Sequence, residues 1–189
     1  MPRLLSLFAI GLVASPMLAQ GFTPEQAVKR MTLPEGFSVR AVATEPMIRQ
    51  PLSMSFDNRG RLWVLQYLQY PNPAGLKPVK QDQYLRTEWD KVPEAPPKGP
   101  KGLDRITICY DPDDNGVFRK SKDFIAGLNL ACGFCIGHKR VYVVQPPYLL
   151  EYEDLNEDED GIKHYLLQVT RPLIVRQARI GTRDTRFAF

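Results

Sequence analysis

Residues 52–67 read LSMSFDNRGRLWVLQY and predict a β-hairpin. Apolar and polar residues alternate from Leu52 to Phe56, which is the period of a half-buried strand. The segment Arg61–Tyr67 is rich in apolar and aromatic residues and is predicted to return as the second strand. Asp57–Gly60 between them consists of turn-forming residues, and a short loop containing glycine is typical of hairpins. The chain is therefore expected to be all-β and built from short antiparallel strands.

Further elements are predicted on both sides of this hairpin. A short N-terminal helix is expected over 22–31, because Thr23 can act as N-cap, Pro24 suits the first helical position and Gln26 can complete a capping box. Residues 71–103 contain seven prolines and predict a long surface insertion, with one helical turn near Tyr84–Trp89. Strands are predicted at 37–42, 104–110, 133–136, 140–144 and 148–152.

The pattern of strands and turns occurs twice. Gly60-Arg-Leu-Trp-Val has a counterpart in Lys139-Arg-Val-Tyr-Val, and the acidic turns that follow close on Gly116 and Gly161, 45 residues apart. A period of this size with several short strands is typical of β-propeller blades. Residues 21–161 are therefore predicted to form a partial β-propeller of about two blade-like units. The pattern does not recur in the divergent basic tail, 162–189, so we expect a truncated propeller.

Charge and hydropathy indicate the compartment and exclude one class of partner. Six of the basic residues lie beyond Gly161 against one acid there, and the body of the chain has no basic field suited to nucleic acid. Residues 1–20 combine Arg3, an apolar stretch from Leu4 to Leu18 and the small residue Ala19, which predicts a signal peptide and an exported protein. An uncleaved membrane anchor is the alternative.

Two acidic turns are candidate calcium sites. Each matches the six-residue core of a calcium loop, in which alternate oxygen-bearing side chains converge and a glycine allows a sharp turn. Neither turn has the glutamate that completes an EF-hand, so the alternative is an ordinary solvated turn. The candidate ligands are Asp111, Asp113 and Asn115 in the first turn and Asn156, Asp158 and Asp160 in the second.

Cys132-Gly-Phe-Cys135 resembles part of a haem attachment motif but lacks its histidine. Covalent haem binding requires a histidine directly after the second cysteine, and Ile136 occupies that position. We therefore expect no covalent haem in this chain and interpret the pair as buried strand cysteines.

Several of these segments, taken in order, resemble one family. They are Pro34–Phe37, Glu45-Pro46, Phe56–Val64, Tyr70-Pro71, the two acidic turns and Pro146–Leu150. Together they are similar to the N-terminal part of the membrane-bound dehydrogenase domain proteins of planctomycetes and their relatives. The resemblance covers about Leu33–Gly161. The turns Asp113–Gly116 and Asp158–Gly161 are less regular than the Asp-Gly-Asp-Gly turns usual in that family.

The resemblance implies a fold, a cofactor and a reaction. The family is similar to sugar dehydrogenases of the sorbosone/glucose type, which are six-bladed propellers that use pyrroloquinoline quinone. It implies a sugar or alcohol substrate, a cytochrome domain or protein as electron acceptor, and a periplasmic or cell-envelope location. No residue matches a catalytic position, so none is assigned, and this chain is expected to be inactive alone. The alternative is a non-catalytic propeller fragment that binds carbohydrate or a partner and is stabilised by calcium.

Overall fold

A computed structural model describes residues 21–137, 139–154 and 165–170. The predicted signal peptide lies outside these residues, as does the predicted basic tail apart from 165–170. The chain divides into two compact units, residues 1–41 and residues 42–189. Within the described residues, no helix has the length and apolar character needed to cross a membrane.

The first unit contains the predicted helix, α1 (Pro24–Lys29). The capping box is confirmed: the Thr23 hydroxyl accepts from the Gln26 backbone N–H, and the Gln26 side chain accepts from the Thr23 N–H at 3.1 Å. The predicted strand at 37–42 is wrong, because these residues form no strand. Alternation produces a strand only where a neighbouring strand supplies ladder hydrogen bonds, and the Phe37 side chain here is exposed.

The second unit is built from antiparallel strands. In chain order they are β1 (Pro51–Phe56), β2 (Leu62–Gln66), β3 (Pro78–Gln81), β4 (Thr87–Trp89), β5 (Asp104–Pro112), β6 (Phe118–Leu128), β7 (Gly133–Gly137), β8 (Arg140–Gln145), β9 (Tyr148–Asp154) and β10 (Tyr165–Thr170). They form two four-stranded sheets, β1-β2-β5-β6 and β7-β8-β9-β10, and one two-stranded hairpin, β3-β4. The mostly β character and the β1–β2 hairpin are thus confirmed.

The insertion contains the β3–β4 hairpin, so the helical turn predicted near Tyr84–Trp89 is wrong. The Asp82 carboxylate accepts from the backbone N–H groups of Tyr84 at 2.9 Å and Arg86 at 3.0 Å and closes a hairpin turn. Trp89 is buried at the end of β4. Local turn chemistry and burial therefore decide against a helix.

Each large sheet is a meander in which consecutive strands pair, apart from the insertion between β2 and β5. The segments predicted to be equivalent, Gly60–Val64 and Lys139–Val143, supply β2 and β8, the second strand of each sheet. In the second sheet the fourth strand is β10, which lies beyond Gly161, where the sequence pattern ends. Contacts between the backbones of the two large sheets are most extensive between their first strands, β1 and β7.

The main core lies between the two large sheets. The first sheet contributes Trp63 and Leu65 of β2, with Ile106, Ile108 and Phe124, and the second contributes Val141, Val143, Leu150 and Tyr152. The Trp63 and Phe124 rings are 4.8 Å apart in a tilted arrangement, which adds to simple area burial. Because side chains alternate along a strand, the neighbours of Trp63 on β2 face the other way.

A smaller core covers the outer face of the first sheet. It consists of Leu62, Val64, Cys109 and Phe118 from the sheet and Ile48 from the segment 42–48, with Val42, Ala43 and Met47 packed against them. The Phe118 backbone N–H donates to the Val42 carbonyl at 2.9 Å, which holds this segment against the outer strand. The first sheet is therefore apolar on both faces.

Candidate binding cleft

A cleft of about 310 Å³ lies at one end of the two sheets. Its walls come from the segment after β2, the insertion, the β6–β7 connection and the β8–β9 turn. The lining residues are Tyr67, Pro73, Leu76, Pro93, Asn129, Leu130, Cys132, Gln145 and Pro146. Most are apolar, and they are far apart in sequence. The cleft therefore exists only because both meanders place these connections at the same end.

The proline-rich insertion forms one wall of the cleft and is held by an amide. The Asn129 side chain accepts from the Ala74 backbone N–H at 2.8 Å and donates to the Ala74 carbonyl at 3.1 Å. Its own backbone N–H donates to Gln145 Oε1 at 2.8 Å, and the Tyr148 hydroxyl donates to the Pro93 carbonyl at 2.8 Å. These bonds link the insertion to both sheets, so the wall has a defined position.

Asp104 holds two of the connections that border the cleft. It is fully buried at the start of β5, and its carboxylate accepts from the backbone N–H of Gln69 at 2.6 Å and of Ala131 at 3.0 Å. Burial raises the pKa of the Asp104 carboxyl above its usual value, and these donors oppose that rise. One side chain thereby joins the connections after β2 and after β6, on two sides of the cleft.

Two groups with exchangeable protons line the cleft, a phenol and a thiol. Burial, with smaller contributions from Asp104 and Cys132, raises the pKa of the Tyr67 phenol. Partial desolvation of its sulfur by the cleft wall raises the pKa of the Cys132 thiol, although the residue as a whole is exposed, and the thiol donates to the Val144 carbonyl at 3.5 Å. Both groups are therefore neutral at pH 7, and the phenol can offer a hydrogen bond to a ligand. The lining residues named above include no carboxylate, histidine, lysine or arginine.

Gly102 lies where the insertion returns to the first sheet, and no side chain can be accommodated there. A Cβ atom would lie 2.3 Å from the Leu128 carbonyl oxygen and 2.8 Å from the Asn129 Cα. We expect Gly102→Ala to lower the free energy of unfolding by about 1–3 kcal/mol, because the backbone beside the cleft must shift. Urea denaturation measures this. Gly133→Ala is the control, since a Cβ atom at that position would have no atom within 4 Å. Equal effects of the two substitutions would contradict the close approach at Gly102.

The predicted calcium ligands of the first acidic turn lie at the opposite end of the first sheet from the cleft. The Asp111 carboxylate pairs with Lys120 at 2.9 Å. Asp113 accepts from the backbone N–H groups of Asn115 and Val117, each at 2.9 Å, and pairs with Arg119. Its hydrogen bond from Val117, with that from Arg119, holds the pKa of Asp113 below its usual value. These carboxylates therefore already have cationic partners within the chain.

Calcium binding stays a prediction. Asn156, Asp158 and Asp160 of the second turn lie outside the described residues. Within the part of the chain that the structure describes, no three His, Cys, Asp or Glu side chains converge in a way that could hold a metal ion.

The same aspartate geometry recurs in three hairpin turns, which sequence reasoning missed. Asp57, Asp82 and Asp113 each accept from the backbone N–H groups two and four residues further on, and each pairs with an arginine at the returning strand. The signal in the sequence is an aspartate followed by arginine four or six residues later. This geometry gives the acidic turn at Asp113 a structural role that needs no metal.

The cysteines differ from the prediction of a buried pair. Cys109 is buried in the outer core, whereas Cys132 and Cys135 are both exposed, so that prediction is wrong for the pair. Cys132 precedes β7 and lines the cleft, and alternation along the short strand leaves Cys135 on its exposed side. All three are free thiols.

The fold and the cleft define a mostly β protein with a neutral pocket between connections of two meander sheets. A family model described as "Domain of unknown function (DUF7133)" matches residues 23–164. The chain belongs to this family, and the match covers both large sheets up to β9. A search of curated proteins and a search of solved structures each found no match.

Proposed function

We propose that the two large sheets are neighbouring blades of an exported, dehydrogenase-like β-propeller, and that the cleft binds a sugar or alcohol. The observation that carries the blade assignment is the orientation of equivalent residues. Trp63 of β2 faces the second sheet, whereas its counterpart Tyr142 of β8 lies between Val141 and Val143, which face the first sheet. Tyr142 therefore points away from the first sheet. The face that carries Trp63 in the first sheet and the face that carries Tyr142 in the second sheet therefore point in the same direction along the stack of sheets. Successive propeller blades are stacked in this way.

The first strands support the same arrangement. β1 and β7 approach each other, and each begins a four-stranded meander that continues outward. Sheets that are joined at their first strands and stacked in one sense form a fan, which is the arrangement around a propeller axis. The cleft then lies on the face formed by the connections between the second and third strands and between consecutive blades.

The chemistry of the cleft favours binding over catalysis by its own residues. A neutral ligand with a ring and hydroxyl groups suits apolar proline and leucine walls beside the Tyr67 hydroxyl. General acid–base catalysis needs a group whose pKa lies near the working pH, and the lining offers a phenol and a thiol with raised pKa values. The proposed contribution of these residues is therefore to hold a substrate.

Pyrroloquinoline quinone does not fit this cleft. Its three carboxylates need cationic partners, and the lining residues contain no lysine or arginine. Within the described residues there is also no cluster that could hold a bridging metal ion. Oxidation by an intact propeller of this type would need groups other than these. A non-catalytic carbohydrate- or partner-binding propeller is the second candidate, and the neutral lining favours it.

Titration of the folded chain with neutral sugars and small alcohols tests the binding proposal. A ligand that binds only the folded state raises the free energy of unfolding, by about 2.7 kcal/mol when its concentration is a hundred times Kd. This stabilisation is observed as a higher thermal midpoint. We expect one class of these ligands to stabilise the chain and Leu76→Asp, which places a charge in the apolar wall, to remove that effect. Tyr84→Phe, on the exposed β3–β4 hairpin, should leave it unchanged. Stabilisation that survives Leu76→Asp would place binding elsewhere.

An oxidation assay with added quinone and calcium separates the two candidates. We expect binding without turnover from this chain. Turnover of a bound sugar would contradict the purely binding role of the described residues and support the dehydrogenase. The absence of both binding and turnover in a folded sample would overturn the proposed function.

A further inference from the structure

The two large sheets carry a buried glutamine at the same position of the repeat. Gln66 ends β2 and Gln145 ends β8, the two strands that the repeat makes equivalent, and the side chains are 4% and 6% exposed. The Gln66 side-chain oxygen accepts from the Arg49 backbone N–H at 2.8 Å. The Gln145 oxygen accepts from the Asn129 backbone N–H, also at 2.8 Å. The equivalence therefore extends from the sequence of the strands to their hydrogen bonding.

The amide nitrogens of the two glutamines differ in their partners. Gln66 Nε2 donates to the Thr107 hydroxyl on the neighbouring strand β5 at 2.7 Å. In the second sheet, the register of β8 with β9 places Leu150 at the position equivalent to Thr107. The Leu150 side chain cannot accept a hydrogen bond, and among the described residues no group accepts from Gln145 Nε2. The second sheet thus has the same glutamine without its acceptor.

The Nε2 group of Gln145 is reachable from the cleft. Side chains alternate along β8, so Gln145 continues the apolar row of Val141 and Val143 as far as the cleft, which it lines. Within the described part of the chain, the one sealed side-chain nitrogen or oxygen without a partner is Arg105 Nε, so Gln145 Nε2 is not sealed. The Asn129 N–H fixes the orientation of the amide, because this donor must face the oxygen and not the nitrogen. An otherwise buried side chain therefore presents two N–H donors to the cleft.

The polar side chains of the lining offer more donors than acceptors. Gln145 Oε1 is engaged by the Asn129 backbone, and the Asn129 amide is engaged by Ala74 through both its oxygen and its nitrogen. The Tyr67 hydroxyl can both donate and accept. A ligand oxygen that only accepts therefore satisfies Gln145, whereas a ligand hydroxyl brings a proton that needs an acceptor of its own.

We propose that Gln145 selects a neutral ring ligand with a carbonyl oxygen, such as a sugar lactone, over the corresponding alcohol. The inference rests on the proposed function, because it narrows the class of ligand for the same cleft. The carbonyl oxygen accepts from Gln145 Nε2, as the Thr107 hydroxyl does from Gln66. A polar group left without a partner in a site withdrawn from water costs binding free energy, so hydrogen bonding decides between ligands of the same shape. Gln145 is the specificity-determining residue of the cleft.

Titration of the full chain with a matched pair of ligands, followed by NMR, tests the proposal. Tetrahydropyran-4-one and tetrahydropyran-4-ol share one ring and differ only in a carbonyl or a hydroxyl group. We expect the ketone to bind about threefold to tenfold more tightly, and the Gln145 side-chain amide signals of the wild type to shift when it binds. Gln145→Glu keeps an oxygen for the Asn129 N–H but replaces the donor with a second oxygen. This variant should lose the preference when measured from about pH 7 to about pH 9, above the ordinary pKa of a carboxyl.

Gln83→Glu is the matched control. Gln83 is exposed in the turn of the β3–β4 hairpin, and the same chemical change there should leave the preference for the ketone unchanged. Far-UV circular dichroism establishes that each variant is folded. Equal affinity for the two ligands, Gln145 amide signals that do not move, or a preference that survives Gln145→Glu throughout this pH range overturns this inference and leaves the cleft as a binding site. The absence of binding by either ligand overturns the proposed function as well.

Discussion

Asp104→Asn is expected to lower the free energy of unfolding by about 2–4 kcal/mol, although it removes only one charge. The carboxylate accepts from backbone N–H groups on both of its oxygens, including Gln69 at 2.6 Å and Ala131 at 3.0 Å. An asparagine keeps one acceptor and turns the other into an NH₂ donor, which then faces a backbone donor. In a fully buried site no water replaces the lost acceptor. Chemical denaturation measures the change.

Asp114→Asn is the control for this prediction. Asp114 is exposed in the acidic turn, and the same chemical change there should alter stability by less than about 0.5 kcal/mol. Hydrogen exchange adds a local readout: the Gln69 and Ala131 amides should exchange faster in Asp104→Asn because their acceptor is weakened. Unchanged protection of both amides would show that Asp104 does not hold these connections together.

The importance of Asp104 could not be predicted from the sequence. A single aspartate before a strand has no distinguishing pattern, and its donors come from residues 35 positions before it and 27 after it. The cleft could not be predicted from the sequence either, because Tyr67, Asn129 and Gln145 meet only after both meanders have formed. Sites assembled from connections between strands depend on topology, which local periodicity does not specify.

Strand prediction succeeded where alternation and a paired neighbour coincide. The hairpin Leu52–Tyr67 forms because its own turn brings its two halves together. At Phe37 the same alternation has no strand beside it and produces none. The turn at Asp82 shows the converse, because a side chain that accepts from two backbone N–H groups closes a hairpin where the surrounding residues indicate a helix. Periodicity thus identifies strands whose partner is local.

Trp63→Ala is expected to be among the most destabilising single substitutions, at about 3–5 kcal/mol. The ring is buried between the sheets, 4.8 Å from the ring of Phe124. Its Nε1–H donates to Asp57 Oδ2 at 2.9 Å, so the side chain joins the main core to the first hairpin turn. Trp63→Phe keeps most of the packing and loses this hydrogen bond, and it should cost about 1–2 kcal/mol.

The comparison with Tyr142→Ala makes the experiment a test of the repeat. Tyr142 occupies the equivalent position in β8 but points to the outer face of the second sheet, where it is half-buried. Its truncation should therefore cost only about 1 kcal/mol. Both variants are measured by urea denaturation. If Tyr142→Ala costs as much as Trp63→Ala, its ring is enclosed within a single chain. In that case Tyr142 does not point to the outer face of the second sheet, and the assignment of the two sheets as successive propeller blades is wrong.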